Sequence, residues 1–360
     1  MSCQYSISLL GRCVAIVAAA AILGPTVAHG QAVSRQSRWD ANYQPPRTAD
    51  GHPDLQGNWT NVTITPFERA DGQEPVFSWD EVDEREGRAV SREVASSRPS
   101  DPDRALPPIA APTQRGGAGG GTGGYNGVYI DAGTNIAIVN GEPRSSLVTN
   151  PPSGRIPPLT PAGQRRQAAA RQSRAGFAQY DHPELRPLGE RCIVSFGTSA
   201  GPPMIPNGFY NNNYTIVQNS DHVIIMAEMV HDYRIIRIGD REPLPDGITP
   251  WFGDSRGHWE GNTLVVETTN LNPDHPFRGL PPSPETKVHE RFTRVDDDTM
   301  LYEFTVDDPG YEQPWGGEIP FETLDDLVFE YACHEGNYAL SNILSGARYQ
   351  ESLTTSSGRE

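Results

Sequence analysis

The sequence predicts a mainly β protein, an antiparallel lipocalin-like barrel with a few short helices and long loops rich in Pro and Gly. Gly and Pro are abundant, with 36 and 33 residues in a chain of 360, a high content for a helical protein. From residue 214 to residue 306, runs of β-branched and aromatic residues alternate with short polar turns, and such turns join antiparallel neighbours. A long antiparallel meander must close or be covered to hide its edges. A barrel is the closed solution, and a β-sandwich is the alternative.

Each predicted strand of this region is bounded by turn residues or by a Pro-rich segment. The strands are Tyr214–Gln218, Val223–Met229, Tyr233–Ile238, Ser255–Trp259, Thr263–Thr269, Lys287–Val295 and Thr299–Val306. A short strand at Leu55–Thr63 carries Trp59, and we expect it to pack on the barrel. A hairpin turns near Asn140–Gly141. We expect Leu327–Ala332 to be the last strand of the core.

Three short helices are predicted from their boundary residues. Ser78–Ser97 is a charged helix with acidic residues in its first turn. Thr160 followed by Pro161 is typical of an N-cap and first helical position, and this helix ends at Gly176. Asn337 can cap a C-terminal helix that ends with Gly346 at its C′ position.

The chain divides into four predicted segments. Residues 1–30 form a secretory signal, because Arg12 precedes an apolar stretch and small residues follow it. This stretch is shorter than the roughly 20 residues that span a bilayer. Residues 31–125 form an extended N-terminal region with a short strand, a helix and a Gly-rich loop. Residues 126–350 form the antiparallel core with the C-terminal helix, and residues 351–360 form a disordered tail. We expect a periplasmic or secreted protein.

Export determines how the cysteines are interpreted. Cys3 and Cys13 leave with the signal, so Cys192 and Cys333 are the two cysteines of the mature chain. Two thiols in an oxidising compartment are expected to form a disulfide. Two free buried cysteines are the alternative.

The charge balance limits the possible partners. The formal net charge is −17, and Lys287 is the only lysine. This balance repels phosphate backbones and anionic membrane surfaces. We therefore expect a small-molecule ligand or substrate, and neither nucleic acid nor a membrane as partner. The sequence specifies no oligomeric state.

Alternation along a strand places Glu290 on the same face as Val288 and Phe292. A carboxylate among apolar side chains tends to have a raised pKa unless an Arg pairs with it, and a raised pKa suits a general acid or base. A structural Arg–Glu pair that spans the barrel is the alternative for this residue.

Two histidines are further candidate catalytic residues. His231 precedes Asp232 and His334 precedes Glu335, and an imidazole beside an acid can act as an acid–base catalyst. Structural histidines are the alternative. Neither HxH, HExxH nor paired-Cys spacing occurs, so we predict no metal site and no cofactor. We expect His231, Glu290 and His334 to converge on one cavity. The predicted ligand-binding residues around it are Arg234, Asp254, Arg256, Arg291 and Glu335.

Several segments resemble a widespread, largely uncharacterised family of secreted bacterial proteins. They are RTADGHPDLQGNW, RPLGERC, NSDHVIIMAEMVHDYRII, GDSRGHWEGNTLVVETTN, HERFTRVDDDTMLYEFTVDDP and EYACHEGNYALSNILSGAR. They cover most of residues 180–350 and a patch near the start of the chain. The resemblance implies secretion and a single core unit, and it implies no activity.

Two functions remain at this stage. The first is a periplasmic enzyme that uses acid–base residues in the barrel cavity on a small neutral or sugar-like molecule, as a lyase, hydratase or hydrolase. The second is a non-catalytic binding protein for a small apolar or aromatic ligand. An interior with several ionisable groups favours the enzyme, and an apolar interior with one or two polar groups favours the binding protein.

Overall fold

A computed structural model describes residues 42–96, 131–195, 200–206 and 212–357. The predicted signal and the Gly-rich loop lie outside these ranges. Within them the chain forms three α-helices, α1 Trp79–Ser96, α2 Pro161–Gln172 and α3 Ala339–Ser357. The strands are β1 Gly57–Thr60, β2 Ile138–Val139, β3 Glu142–Pro143, β4 Val148–Asn150, β5 Asn213–Gln218, β6 His222–Ala227, β7 Tyr233–Ile238, β8 Asp254–Glu260, β9 Thr263–Thr269, β10 Lys287–Arg294, β11 Thr299–Asp307 and β12 Trp315–Thr323.

Nine of these strands form a closed barrel, which confirms the predicted fold class. The strand order is β1-β5-β6-β7-β8-β9-β10-β11-β12, and β12 pairs back to β1. Trp59 lies opposite Thr323 at this closure and opposite Tyr214 on β5. The strand near Trp59 is therefore part of the barrel wall. In addition, the short strand β4 pairs with β12 in the antiparallel sense.

One pair of neighbours is parallel. β7 and β8 pair with Ile236 opposite Ser255 in the parallel sense, whereas the other neighbours in the barrel run antiparallel. A parallel pair needs a long connection to return the chain to the same end. The Pro-rich residues 239–253 supply this connection, which therefore runs from one end of the barrel to the other.

The last strand lies earlier than predicted. Leu327–Ala332 forms no strand, and β12 occupies Trp315–Thr323 instead. Its sequence, WGGEIPFET, contains two glycines and a proline, which are normally depleted in strands. Both glycines are required by close packing, because a Cβ at Gly316 or Gly317 would overlap the carbonyl oxygens of Phe304 or Leu147.

The C-terminal helix is longer than predicted. α3 continues through Gly346 to Ser357, so residues 351–357 are helical and do not begin a disordered tail. A glycine inside a helix costs only about 1 kcal/mol relative to alanine. Arg348 and Glu351 form an i,i+3 ion pair beyond it, with an N–O distance of 2.6 Å, which supports the continuation.

The other two helices and the hairpin agree with the predicted boundaries to within a few residues. Thr160 caps α2 by accepting a hydrogen bond from the Gly163 amide at 3.1 Å. β2 and β3 pair around Asn140 and Gly141, whose positive φ angles of 52° and 77° fit a tight hairpin turn.

A disulfide joins Cys192 to Cys333, with a Cα–Cα distance of 5.8 Å. This confirms the predicted pairing. The bond links the segment before β5 to the segment that leads into α3. Among the described residues, no helix is long and apolar enough to cross a bilayer.

The two ends of the barrel differ. At one end, which we call the closed end, short turns at residues 219–221, 260–262 and 296–298 are covered by residues 43–56. Here Arg47 donates to the Asn262 side chain at 2.8 Å, and the His52 ring stacks on Trp259. At the opposite end, which we call the open end, the longer loops 270–286 and 308–314 leave the wall. A binding pocket is therefore expected at the open end.

Candidate functional site

The centre of the barrel holds one ion pair between Arg234 on β7 and Glu290 on β10. Both side chains are almost fully buried, at 1% and 0% exposure. The contact is bidentate, with Nη1–Oε1 and Nη2–Oε2 distances of 2.9 and 2.5 Å. This is the structural Arg–Glu pair that spans the barrel, the alternative that the sequence left open for Glu290.

Neighbouring groups add further hydrogen bonds to this pair, although Arg234 Nε is buried without a hydrogen-bond partner among the described residues. The Tyr302 hydroxyl donates to Glu290 Oε1 at 2.8 Å, and Arg234 Nη2 also donates to Ser255 Oγ at 3.2 Å. Burial and the Glu290 charge raise the pKa of Tyr302. Burial acts to lower the pKa of Arg234, but the Glu290 carboxylate more than offsets this, and the pKa is raised. Both groups keep their protons, and the network is closed to solvent.

A short segment, residues 200–206, fills the barrel above the ion pair, and we call it the plug. The Met204 amide donates to Tyr302 Oη at 2.9 Å, and the Met204 carbonyl accepts from Asn61 Nδ2 at 3.2 Å. Gly201 lies so close to Arg234 that a Cβ there would stand 3.0 Å from Nη1. The plug therefore covers the ion pair from the open end.

The predicted convergence of His231, Glu290 and His334 on one cavity is wrong. Both histidines are exposed, whereas Glu290 is fully buried. His231 lies in a 3-10 turn, Met229–His231, that interrupts the predicted continuation of strand alternation. Val230 and His231 have φ angles of 61° and 48°, and this turn carries the imidazole outward. Its Nδ1 lies 3.2 Å from the Tyr331 carbonyl oxygen.

The predicted ligand-binding residues do not line a common cavity either. Arg234 is bound within the central pair. Asp254 is buried at the start of β8, where it accepts from Arg237 Nη2 at 2.6 Å and from the Leu244 amide at 2.9 Å. It therefore fixes the Pro-rich connection to the barrel wall, which is a structural role.

The remaining three of these residues lie on the outside of the barrel. Arg256 pairs with Glu267 at 2.8 Å, and Arg291 pairs with Glu260 at 2.9 Å. Glu335 is exposed in the segment before α3. Outward residues of neighbouring strands form such cross-strand ion pairs, and none of these side chains is directed into the interior.

A pocket lies at the open end, one layer above the central pair. The volume open to the centre of a water-sized sphere is about 60 Å³, several times the roughly 10–15 Å³ that one water needs. Its apolar walls come from Trp251, Leu271, Phe277, Leu280, Val288 and Val306, and the plug prolines form another side. Val288 faces inward two positions before Glu290 on β10, so the pocket and the central pair occupy successive layers.

One side of the pocket is polar and is organised around Asp308. This carboxylate is 5% exposed. Its Oδ1 accepts from Arg166 Nη2 at 2.5 Å and from the Gly310 amide at 2.6 Å. Its Oδ2 accepts from the Thr286 hydroxyl at 2.6 Å. Three donors therefore hold the carboxylate in place at the pocket wall.

Tyr311 and His275 complete the polar side. Burial and the Asp308 charge raise the pKa of Tyr311 to about 12, so the hydroxyl stays protonated at neutral pH. It makes no hydrogen bond with any described residue. His275 Nδ1 lies 3.3 Å from the Trp251 carbonyl oxygen. A carbonyl oxygen only accepts, so Nδ1 donates in this contact.

Sequence reasoning missed the pocket because its residues come from loops. The Pro-rich segments indicate connections between strands, and loops have no alternation that sorts their side chains. The sequence nevertheless contains a signal, namely a histidine and two aromatic residues in loops that leave neighbouring strands at the same end. These residues are His275, Phe277 and Tyr311. Loops held by a rigid scaffold often carry function.

The described residues contain no group of three or more His, Cys, Asp or Glu side chains that could hold a metal ion. No protein-family model, no curated protein and no solved structure matches the chain.

Proposed function

We propose that this protein binds a small, planar, mainly apolar molecule in the open-end pocket without turning it over. The observation that carries the proposal is the composition of the pocket, with apolar and aromatic walls and a few polar groups on one side. This composition is typical of small-molecule binding sites. The ionisable groups deeper in the barrel are bound to each other under the plug, which supports binding over acid–base chemistry there.

The size and shape of the pocket support a ligand with one ring. A volume of about 60 Å³ for water-sized spheres holds only a few water molecules. Trp251 and Phe277 provide flat apolar faces, and aromatic rings pack favourably in stacked or edge-to-face arrangements. A planar ring therefore fits better than a branched or flexible molecule.

We also propose that the protein acts outside the cytoplasm and belongs to the secreted bacterial family that it resembles. The apolar segment after Arg12 supports export, and the Cys192–Cys333 disulfide fits an oxidising compartment. A periplasmic carrier or sensor of small aromatic molecules is the corresponding role.

Titration with toluene and indole tests the proposal. Ligand-observed NMR and calorimetry measure the binding. Leu271→Trp should fill the pocket and weaken binding at least tenfold. Val217→Trp is the matched control, because Val217 is 47% exposed on β5, and it should bind as the wild type does. Wild-type protein that is folded by circular dichroism but binds neither compound would refute the proposal, as would equal binding by Leu271→Trp.

The enzyme is the second candidate, and we propose the same pocket as its site. His275 and Tyr311 both line it, and an imidazole with a phenol can move protons to and from a neutral substrate. NMR of neutral sugars and hydroxylated aromatics incubated with wild type and with His275→Ala tests this. Turnover that falls by about 10²–10⁴-fold in the variant would favour the enzyme over the carrier.

A further inference from the structure

The polar side of the pocket presents the carboxylate of Asp308 as an acceptor. A carboxylate offers about four lone-pair sites, and three donors occupy Asp308, from Arg166, Gly310 and Thr286. Oδ1 accepts two of these hydrogen bonds and Oδ2 accepts one, so Oδ2 has capacity for one more, and Asp308 lines the pocket.

The Tyr311 hydroxyl is the one group of this polar side that can both donate and accept. It lines the pocket without a hydrogen-bond partner among the described residues. Its ring is held against Trp315, with 6.0 Å between ring centroids. Since the Tyr311 side chain stays neutral, its hydroxyl can donate to a ligand oxygen while Asp308 accepts a hydrogen bond from the ligand.

The charges around the pocket disfavour an anion. The described lining contains one carboxylate, Asp308, and neither Lys nor Arg. The two nearby arginines are engaged elsewhere, with Arg166 on Asp308 and Arg278 on Glu68 at 2.5 Å. A bound carboxylate would lie beside the Asp308 carboxylate without a Lys or Arg in the lining to balance it, and an uncompensated buried charge is costly.

We propose that the ligand is a neutral one-ring aromatic molecule that carries a hydroxyl group, a phenol in its simplest form. The ring lies between the apolar walls. The ligand hydroxyl donates to Asp308 and accepts from Tyr311. This inference rests on the proposed binding function and adds the chemical class of the ligand.

Toluene, phenol and benzoate distinguish the contributions of ring, hydroxyl and charge. For the wild type at pH 7, calorimetry should show phenol about tenfold tighter than toluene, which is the value of one or two added hydrogen bonds. Benzoate should bind more weakly than toluene. In Tyr311→Phe the preference for phenol over toluene should fall several-fold. Tyr233→Phe, at a tyrosine that is 61% exposed on the outer face of β7, is the matched control and should keep the preference.

The outcomes separate the two proposals. If toluene binds and phenol binds no tighter, or if benzoate binds as well as phenol, the ligand class is wrong while the apolar binding function stands. If none of the three compounds binds, the binding function itself fails. The comparison of the three ligands in the wild type does not depend on whether Tyr311→Phe folds.

Discussion

Arg234 and Glu290 show how two single residues organise the barrel interior. Removing both charges from water costs several kcal/mol per ion, and good geometry with additional hydrogen bonds is needed to offset this cost. The bidentate contact, the hydrogen bond from Tyr302 to Glu290 and the hydrogen bond from Arg234 to Ser255 provide that geometry. Because Tyr302 also accepts from Met204, the pair sets the position of the plug, and through it the floor of the pocket.

Removal of one partner should be more damaging than removal of both. Glu290→Gln or Arg234→Met leaves a buried charge without its partner, so the free energy of unfolding should fall by about 3–5 kcal/mol. The double variant Arg234→Met/Glu290→Leu should lose less than the sum of the single losses. Urea denaturation measures these values. Glu267→Gln removes a half-exposed ion pair with Arg256 and should change stability by no more than about 1 kcal/mol.

Glu322 should make stability depend on pH. Burial, opposed by a hydrogen bond from Thr299 and assisted by the charges of Asp296 and Asp298, raises its pKa from 4.5 to about 7. The folded state therefore holds this proton more tightly than the unfolded state, and the contribution to stability is full below about pH 4.5 and is lost as the pH rises through 7.

Glu322→Gln should remove this dependence. At pH 4 the variant and the wild type should have similar stability, and at pH 8 the variant should be more stable by roughly 1–3 kcal/mol. Denaturation curves collected between pH 4 and pH 8 measure the difference. Glu335→Gln, at an exposed residue, serves as control. A difference between Glu322→Gln and the wild type that does not change with pH would contradict the assigned cause.

At the scale of elements, alternation was the reliable signal. It placed Glu290 inward with Val288 and Phe292 on β10, which the structure confirms. It failed where the backbone departs from a strand, as at the Met229–His231 turn. It also failed at β12, because this strand contains two glycines and a proline, residues that are depleted in strands. The glycines are required there by close contact with neighbouring backbone. Tertiary packing determined both elements, and a single sequence does not display such packing.

The segment between β12 and α3 should depend on the disulfide. Residues 324–338 form no strand or α-helix, and the Cys192–Cys333 disulfide cross-links them to the segment before β5. In Cys192→Ser/Cys333→Ser we expect a protease to cut this segment and release α3 while the barrel stays folded. Mass spectrometry of limited digests measures the site and the rate.

The same variant should also be less stable. The disulfide closes a loop with a sequence separation of 141, for which the entropic treatment gives about 5 kcal/mol.

For the limited digestion, wild-type protein treated with the same protease without reductant is the control. Equal cleavage rates in the variant and the wild type would show that noncovalent contacts alone hold the segment.

For the whole molecule, the sequence predicted the barrel but not the pocket at its open end. Turn residues and strand runs are local signals, and they were sufficient for the closed architecture. The pocket is assembled from the plug, the Pro-rich connection and two loops, which are far apart in sequence. Side chains in such segments meet only after the barrel has closed, so local patterns did not reveal them.

Trp59 should be essential for closure of the barrel. Its side chain is 1% exposed, and its Nε1 donates to the Leu55 carbonyl at 3.0 Å. Trp59→Ala should lower the free energy of unfolding by about 3–5 kcal/mol, as is usual for a buried aromatic residue. Trp79→Ala is the matched control, because Trp79 is 43% exposed on α1, and its loss should be much smaller. Equal losses would show that β1 does not close the barrel.

The pairing of β1 with β12 also determines when the protein can finish folding. Trp59 meets Thr323, so the final rung joins a strand made early in synthesis to one made near the end. Contacts of such long sequence separation slow folding. Until β12 has been synthesised, β1 lacks one of its two neighbours in the barrel. Barrel closure, and with it formation of the pocket, is therefore completed only after β12 has been made.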